Sequence, residues 1–129
     1  EIAAISFERL GVKNKALGFY EKLYLDNTDD LNTLYKMGFL KHDLKLFEEA
    51  SLTAEQLLTH KLTKETKLIF PTADGKGQEI SMEMAAIRLK GMIAAAQGDK
   101  VKAKEYFNQV LKAVPTFEVI KQQLAELDK

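Results

Sequence analysis

A pattern that recurs at a fixed spacing constrains the fold of this 129-residue chain more than any other feature of its sequence. Three segments share the same order of small and apolar residues: Ala16, Tyr20 and Leu23, then Ala50, Ala54 and Leu57, and then Ala103, Phe107 and Val110. The second segment follows the first after 34 residues, and the third follows after 53, which is 34 plus an insertion of 19. Because such a unit exposes apolar edges that only a neighbouring unit can cover, we expect a single domain of stacked units.

The units are predicted to be helical, because apolar residues outside the insertion recur in steps of three and four. With only two prolines and seven glycines to interrupt it, the chain is predicted to be all-α. The helices are expected to include residues 16–25, 31–39, 46–58, 80–93, 100–113 and 117–127. The polar run from Asp26 to Asp30 offers an N-cap for the second helix. Gly98 suits the left-handed position after the fourth, and Thr116 is predicted to cap the last.

The insertion, about residues 62–77, is predicted to be irregular. Ile69 to Pro71 is expected to be extended, because a residue that precedes proline avoids the helical region. Asp74 to Gly77 is expected to form a turn or a flexible loop. That segment lacks the remaining glycine and the consecutive Lys-Ser or Lys-Thr pair of a phosphate-binding loop, and it lacks the carboxylate spacing of a calcium loop.

Composition and charge exclude several classes of function. Lys plus Arg and Asp plus Glu each number 19, so the formal net charge is zero, and long-range attraction to nucleic acid or an anionic membrane is not expected. The absence of cysteine excludes disulfides, thiolate metal sites and a cysteine nucleophile. No apolar stretch is long enough to cross a bilayer, so a soluble protein is expected. Because the sequence begins with Glu1, we expect a processed chain or a piece of a longer one, and cytoplasm and periplasm both fit its composition.

A catalytic function is not predicted. His42 and His60 are the two histidines, and no serine, aspartate or glutamate near them follows the spacing of a catalytic triad or a metal-binding helix. The carboxylate pairs Asp29-Asp30 and Glu48-Glu49 are better explained by a helix N-terminus and a solvated helix face. We therefore predict no catalytic residue, no cofactor and no metal.

The repeated segments resemble the tetratricopeptide repeat (TPR) family, whose unit is helix A, a turn and helix B. The best match comprises Ile87, Gly91, Gly98, Ala103, Phe107, Val110, Leu111 and Pro115, and a second comprises Leu34, Met37, Gly38, Phe47, Ala50, Leu57 and Leu58. The third unit departs from the family at Lys90 and Ala94, and the second has Lys45 where a glycine is usual. The first match begins inside helix A and has Gly11 in the turn.

The resemblance implies a right-handed superhelix of antiparallel helical hairpins that ends in a capping helix. The implied units are repeat 1 at about 1–29, repeat 2 at about 30–61, the insertion, repeat 3 at about 78–115 and a cap helix at about 116–129. Within each hairpin, a glycine of helix A is expected to lie against an alanine of helix B, Gly38 against Ala50 and Gly91 against Ala103, so that the helices approach closely.

The resemblance also implies a function, the binding of a peptide or helix of a partner protein in the concave groove lined by the A helices. The groove positions of the family correspond here to Ile5, Glu8, Arg9, Asn32, Tyr35, Lys36, Phe39, His42, Arg88, Met92 and Ala95. Tyr35, Phe39 and Met92 would offer apolar surface, with Lys36 and Arg88 beside it for an acidic flank. The C-terminal carboxylate clamp of one subfamily is not expected, because its positions hold Glu1 and Ile5.

Several alternatives remain open at the level of sequence. The predicted groove residues could instead pack against neighbouring helices or the insertion. The insertion could be a lid or an added contact surface, or a surface elaboration in which Leu68, Ile69 and Phe70 pack onto the array. The chain could also be an assembly segment that stacks on further repeats or a sister chain through its terminal helices. A third function is the carriage of a small ligand or lipid in the apolar groove.

Overall fold

The structure is a computed structural model that describes residues 2–128, with side chains described from residue 11 to residue 128. Its elements in chain order are α1 (Ile2–Asp26), α2 (Leu31–Asp43), α3 (Phe47–Thr59), β1 (Lys67–Phe70), β2 (Gln78–Ser81), α4 (Met82–Ala96), α5 (Lys100–Ala113) and α6 (Glu118–Leu127). The predicted all-α class is confirmed, and the two strands form one small antiparallel hairpin between α3 and α4. Within the described residues, no helix combines the length and the apolar character needed to cross a membrane.

The helices pack in chain order. α2 and α3 form one helical hairpin and α4 and α5 form a second, while α1 lies against α2, α3 against α4, and α6 against α5. Leu34, Leu57 and Met82 are buried in the cluster that joins the first hairpin to α4. Phe107 and Ile120 are buried in the cluster that joins α4, α5 and α6. This is the TPR-like array that the repeat pattern predicted.

Local signals set most of the helix ends. The Asp30 side chain accepts a hydrogen bond from the amide of Thr33 at 3.2 Å, so the predicted cap of α2 is confirmed. Asp99 caps α5 in the same way through the amide of Lys102. Gly98 has a φ of 82°, as predicted, and Lys45, which stands where the family prefers glycine, also has a positive φ of 64°.

The first helix differs from the expectation. α1 runs without interruption from Ile2 to Asp26, so the turn expected at Leu10 and Gly11 does not form. No proline and no cluster of turn residues interrupts this stretch. A single glycine inside a helix costs only about 1 kcal/mol relative to alanine, which is too little to end it. The first unit therefore contributes one long helix to the array.

The segment around Ile80 also differs from the expectation, which placed it in a helix. Residues 78–81 form β2 instead, with Leu68 opposite Ile80 and Phe70 opposite Gln78. The side chain of Ile80 is buried, so the strand has a core contact of its own. α4 begins only at Met82, with Ser81 as its N-cap.

The expected cap of the last helix is wrong in detail. Thr116 does not cap α6, because the N-cap position is held by Phe117, whose ring is buried and makes no capping hydrogen bond. The hydroxyl of Thr116 instead accepts a hydrogen bond from the Gln78 amide at 2.9 Å.

The two helix-A glycines allow close packing, but against other residues than the alanines expected. A Cβ atom on Gly91 would lie 2.6 Å from Cε1 of Phe107, and one on Gly38 would lie 2.8 Å from Cδ2 of Leu89. The closest neighbours of these glycines are therefore large side chains rather than Ala103 and Ala50. An added methyl group would force those large side chains to move.

Candidate functional site

The predicted groove residues of α2 form a row of aromatic rings. The ring centroids of Tyr35 and Phe39 are 5.0 Å apart, and those of Phe39 and His42 are 6.5 Å apart. The His42 ring is 6.1 Å from that of Phe47, at the start of α3. All three pairs meet edge to face, which is a favourable arrangement for aromatic rings. The row therefore runs along one face of α2. The two ends of this face differ in how they are covered.

One end of this face is centred on Arg88 of α4. The Arg88 side chain is buried, and its Nε donates a hydrogen bond to Oε1 of Gln123 in α6 at 2.8 Å. Its Nη1 donates to the Tyr35 hydroxyl at 3.4 Å. The guanidinium carbon lies 5.6 Å from the ring centroid of Phe39 and 5.4 Å from that of Phe70. Arg88, expected to meet an acidic flank of a partner, is thus held between two rings of its own chain.

Phe70 comes from the insertion and completes this packing. Its ring meets that of Phe117 edge to face, with the centroids 5.0 Å apart. Leu68 and Phe70 are half-buried against the core, as the surface-elaboration interpretation expected, whereas Ile69 is 64% exposed and does not pack. We call Tyr35, Phe39, Phe70, Arg88 and Phe117 the closed end.

The closed end changes the ionisation of Tyr35. Burial raises the pKa of the Tyr35 phenol above its ordinary value of 10.0, and the charge and hydrogen bond of Arg88 lower it in part. The phenol is therefore neutral near pH 7, where its oxygen accepts the Arg88 hydrogen bond.

The other end of the face is accessible. A pocket of about 430 Å³ lies where the last turns of α2, α4 and α6 approach α5, and its lining consists of His42, Met92, Ala95, Ala96, Phe107, Gln123, Glu126 and Leu127. Methionine, alanine, phenylalanine and leucine side chains supply most of this lining. We call this pocket the open end. An open, mainly apolar depression of this kind suits an apolar side chain of a ligand.

The open end contains only some of the predicted residues. His42, Met92 and Ala95 line it, whereas Tyr35, Phe39 and Arg88 belong to the closed end. Gln123 and Leu127 of α6 were missed. A signal for them exists in the sequence, because Leu124 and Ala125 stand where the family has the Leu-Gly pair of a further helix A.

Five predicted positions lie away from both ends or outside the described side chains. Asn32 and Lys36 are exposed on α2. The Lys36 ammonium lies 5.4 Å from the Tyr20 ring centroid and so faces α1. The side chains of Ile5, Glu8 and Arg9 fall outside the described residues.

A second depression, of about 490 Å³, surrounds the turn between α2 and α3. Its lining consists of Lys45, Leu46, Phe47, Glu48, Glu49 and Gln97. Charged and amide side chains supply much of this lining, so it offers less apolar surface than the open end does. Within the described residues, no group of three or more histidine, aspartate or glutamate side chains could hold a metal ion.

Comparison with known proteins agrees with the repeat pattern. A family model described as "Tetratricopeptide repeat" matches residues 85–116, which comprise most of α4, all of α5 and the following turn. The comparisons with curated proteins and with solved structures each find no match. Residues 85–116 are thus similar to a tetratricopeptide repeat, and the chain around them is an all-α, TPR-like array of helical hairpins.

Proposed function

We propose that this protein is a protein-interaction scaffold that binds a peptide or helix of a partner protein at the open end. TPR domains are typically non-catalytic and typically bind proteins, and the repeat at residues 85–116 supports that general function here. The observation that carries the specific proposal is the apolar pocket of about 430 Å³ between α4 and α6. The proposal keeps the division into units at about 30–61 and 78–115.

The pocket accounts for one apolar anchor of the ligand. Met92 has a flexible thioether side chain that adapts to apolar groups of different shape, and Leu127 adds further apolar lining. The His42 ring and the Gln123 amide also line the pocket and offer polar contacts to a ligand backbone. Because Phe70 and Arg88 fill the closed end, the ligand is expected to end beside them rather than to run the whole length of the face.

A catalytic function forms no part of this proposal, because both histidines have roles within the fold. The Nε2 of His60 lies 3.1 Å from Oδ1 of Asp29, and its Nδ1 accepts a hydrogen bond from the amide of Leu62. These contacts join the end of α3 to the turn before α2. His42 lies 3.2 Å from the carboxylate of Asp43 and otherwise contacts aromatic rings.

The proposal is tested by selecting ligands from a displayed peptide library and measuring their affinity for the protein and its variants. Peptides with a recurrent apolar anchor residue are expected, and the Met92→Ala variant should bind them about tenfold more weakly or worse. Ala96→Glu, which places a charge at the exposed edge of the pocket, should weaken binding further without removing any buried side chain.

The matched control is Leu52→Ala, since Leu52 is an exposed apolar residue of α3 outside the pocket. Its affinity should equal that of the unchanged protein. If Leu52→Ala and Met92→Ala weaken the same peptides equally, or if neither weakens them, the open end is not the binding site.

Two alternatives predict different observations. A carrier of a small ligand or lipid would retain an extra mass in native mass spectrometry, and the volume of the open end falls within the range of small-molecule sites. An assembly segment would associate through its terminal helices as its concentration rises. A stable monomer without bound mass is the result expected of a peptide-binding scaffold.

A further inference from the structure

α1 has an exposed apolar stripe that no part of the described structure covers. Val12 is 65% exposed, Phe19 60% and Leu23 40%, and Ala16 between them is half-buried. The steps between these four residues are four, three and four. That spacing is typical of the seam along which two α-helices pack side by side.

The stripe is distinct from the face of α1 that binds α2. Leu17, Tyr20 and Tyr24 pack into the cluster shared with α2, and they lie on the adjacent side of the helix. An exposed phenylalanine in a row with valine and leucine is more than the scattered apolar residues of an ordinary surface. The stripe therefore has the properties of an interface rather than of a solvated helix face.

The charges beside the stripe indicate what kind of partner fits it. Lys15 and Lys22 border one side, and among the described residues neither takes part in an ion pair. Lys13 and Lys36 border the other side. Lys13 is 3.5 Å from Asp43, and the Lys36 ammonium lies over the Tyr20 ring. Lysines thus flank the apolar stripe on both sides and outnumber the acidic residues beside it, which are Asp26, one turn after Lys22, and Asp43.

The spacing and charge of the stripe favour an amphipathic helix as its occupant over a second copy of the chain or a membrane surface. A second copy of the chain would bring the same lysines to both sides of the seam, so that like charges would meet. A membrane surface is contacted by a broad apolar face, whereas α1 offers a narrow stripe because α2 covers its other apolar side. An amphipathic helix with acidic flanks matches both the spacing and the charge.

We propose that α1 is a docking site for an amphipathic helix of another protein, which packs its apolar stripe against Val12, Ala16, Phe19 and Leu23 and sets an acidic flank against Lys15 and Lys22. This site lies on α1, apart from the open end, and does not depend on the function proposed for that pocket.

The test uses two synthetic peptides with the same leucine stripe, cross-linked on their outer faces so that both are helical before binding. One has glutamates on both flanks and the other has lysines. The glutamate peptide should bind at least about tenfold more tightly than the lysine peptide. Phe19→Ala should reduce its affinity about tenfold, and the double variant Lys15→Glu, Lys22→Glu should reverse the preference between the peptides.

The control variant is Leu25→Ala, because Leu25 is exposed on the same helix but lies outside the stripe. It should bind the glutamate peptide as the unchanged protein does, and circular dichroism should show the same helix content for all variants. Equal affinity for the two peptides, or an affinity that Phe19→Ala leaves unchanged, would overturn the proposal.

Two further outcomes would assign the stripe to another occupant and also overturn the proposal. The first is a dimer, seen by sedimentation in the absence of peptide, that Phe19→Ala dissociates. The second is binding to vesicles of phosphatidylserine and phosphatidylcholine that Phe19→Ala abolishes. A monomer that leaves the vesicles unbound and prefers the glutamate peptide supports the proposal.

Discussion

The closed end and the open end both lie on α2 and α4, yet side chains of the protein fill the closed end, whereas the open end is an accessible pocket. Arg88 and Met92 are four residues apart on α4, so they project from successive turns of one helix face. Arg88 is covered by Phe70 of the inserted hairpin and held by Gln123, whereas Met92 lines a pocket. The difference arises from what the connecting segment places over each turn. In a helical-hairpin array of this kind, an insertion can therefore decide how much of the groove stays available to a ligand.

The largest effect is expected where the closed end joins the core. Phe117→Ala should lower the free energy of unfolding by about 3–5 kcal/mol, because the ring is fully buried beneath Phe70 and its loss leaves a cavity. Urea unfolding followed by circular dichroism measures this. The matched control is Phe19→Ala, whose ring is exposed and should change stability by no more than about 0.5 kcal/mol. A loss of less than about 1 kcal/mol for Phe117→Ala would show that the closed end is not part of the core.

A smaller effect is expected for the side chain that closes this end. Phe70→Ala removes a half-buried ring that contacts both Phe117 and Arg88, and it should cost about 1–3 kcal/mol in the same unfolding measurement. Ile69→Ala, the neighbouring change in the same strand, should have almost no effect because Ile69 is exposed. If Phe70→Ala also weakens peptide binding at the open end at constant fold, the two ends are not independent.

Because of Tyr35, the free energy of unfolding is expected to fall at alkaline pH. Since the pKa of Tyr35 is raised in the folded state, the unfolded chain loses this proton first as the pH rises past about 10. The contribution of the neutral Tyr35 phenol to the free energy of unfolding is complete below that pH. It is lost as the pH rises through the higher pKa of the folded state. Tyr35→Phe should reduce this alkaline loss of stability, whereas Tyr106→Phe, in α5, should keep it. Identical alkaline slopes for Tyr35→Phe and the unchanged protein would contradict the burial of this phenol.

The smallest effect on stability is expected at the open end. Met92→Ala should lower the free energy of unfolding by only about 1 kcal/mol, because the side chain is half-buried and faces the pocket. Its effect on the affinity for selected peptides, about tenfold or more, corresponds to about 1.4 kcal/mol or more and should exceed its effect on stability. A loss of stability as large as that of Phe117→Ala would mean that Met92 belongs to the core. The open end would then be part of the core, as the closed end is.

Much of the array could be predicted because its signals are local or periodic. The recurrence of Ala50 and Ala103 depends on helix packing that repeats in the two hairpins, and Asp30 and Gly98 set helix ends within a few residues of themselves. β2 was missed for the opposite reason. Gln78 to Ser81 is too short to establish an alternating pattern, and its partner strand and the burial of Ile80 determine its conformation.

The candidate site was predicted only in part, since its arrangement depends on distant residues. Arg88 lies on the face that the repeat alignment indicated. Its contacts, however, come from Tyr35, 53 residues before it, from Gln123, 35 residues after it, and from a hairpin that belongs to no repeat. No spacing rule connects these elements. Met92 and His42, which the repeat register alone predicted as groove positions, line one pocket in the structure, and their role in binding stays a prediction.

The hairpin that closes one end of the groove also offers a place to extend the protein. Its tip is Gly75, an exposed glycine with a φ of 78°, and a Cβ atom there would meet no neighbour within 4 Å. Because exposed turns tolerate inserted sequence, an epitope or a fluorescent-label tag placed after Gly75 should leave the helices intact. The tag would also stand a few residues from Phe70, so its signal would report directly on whether the hairpin stays seated when a ligand binds.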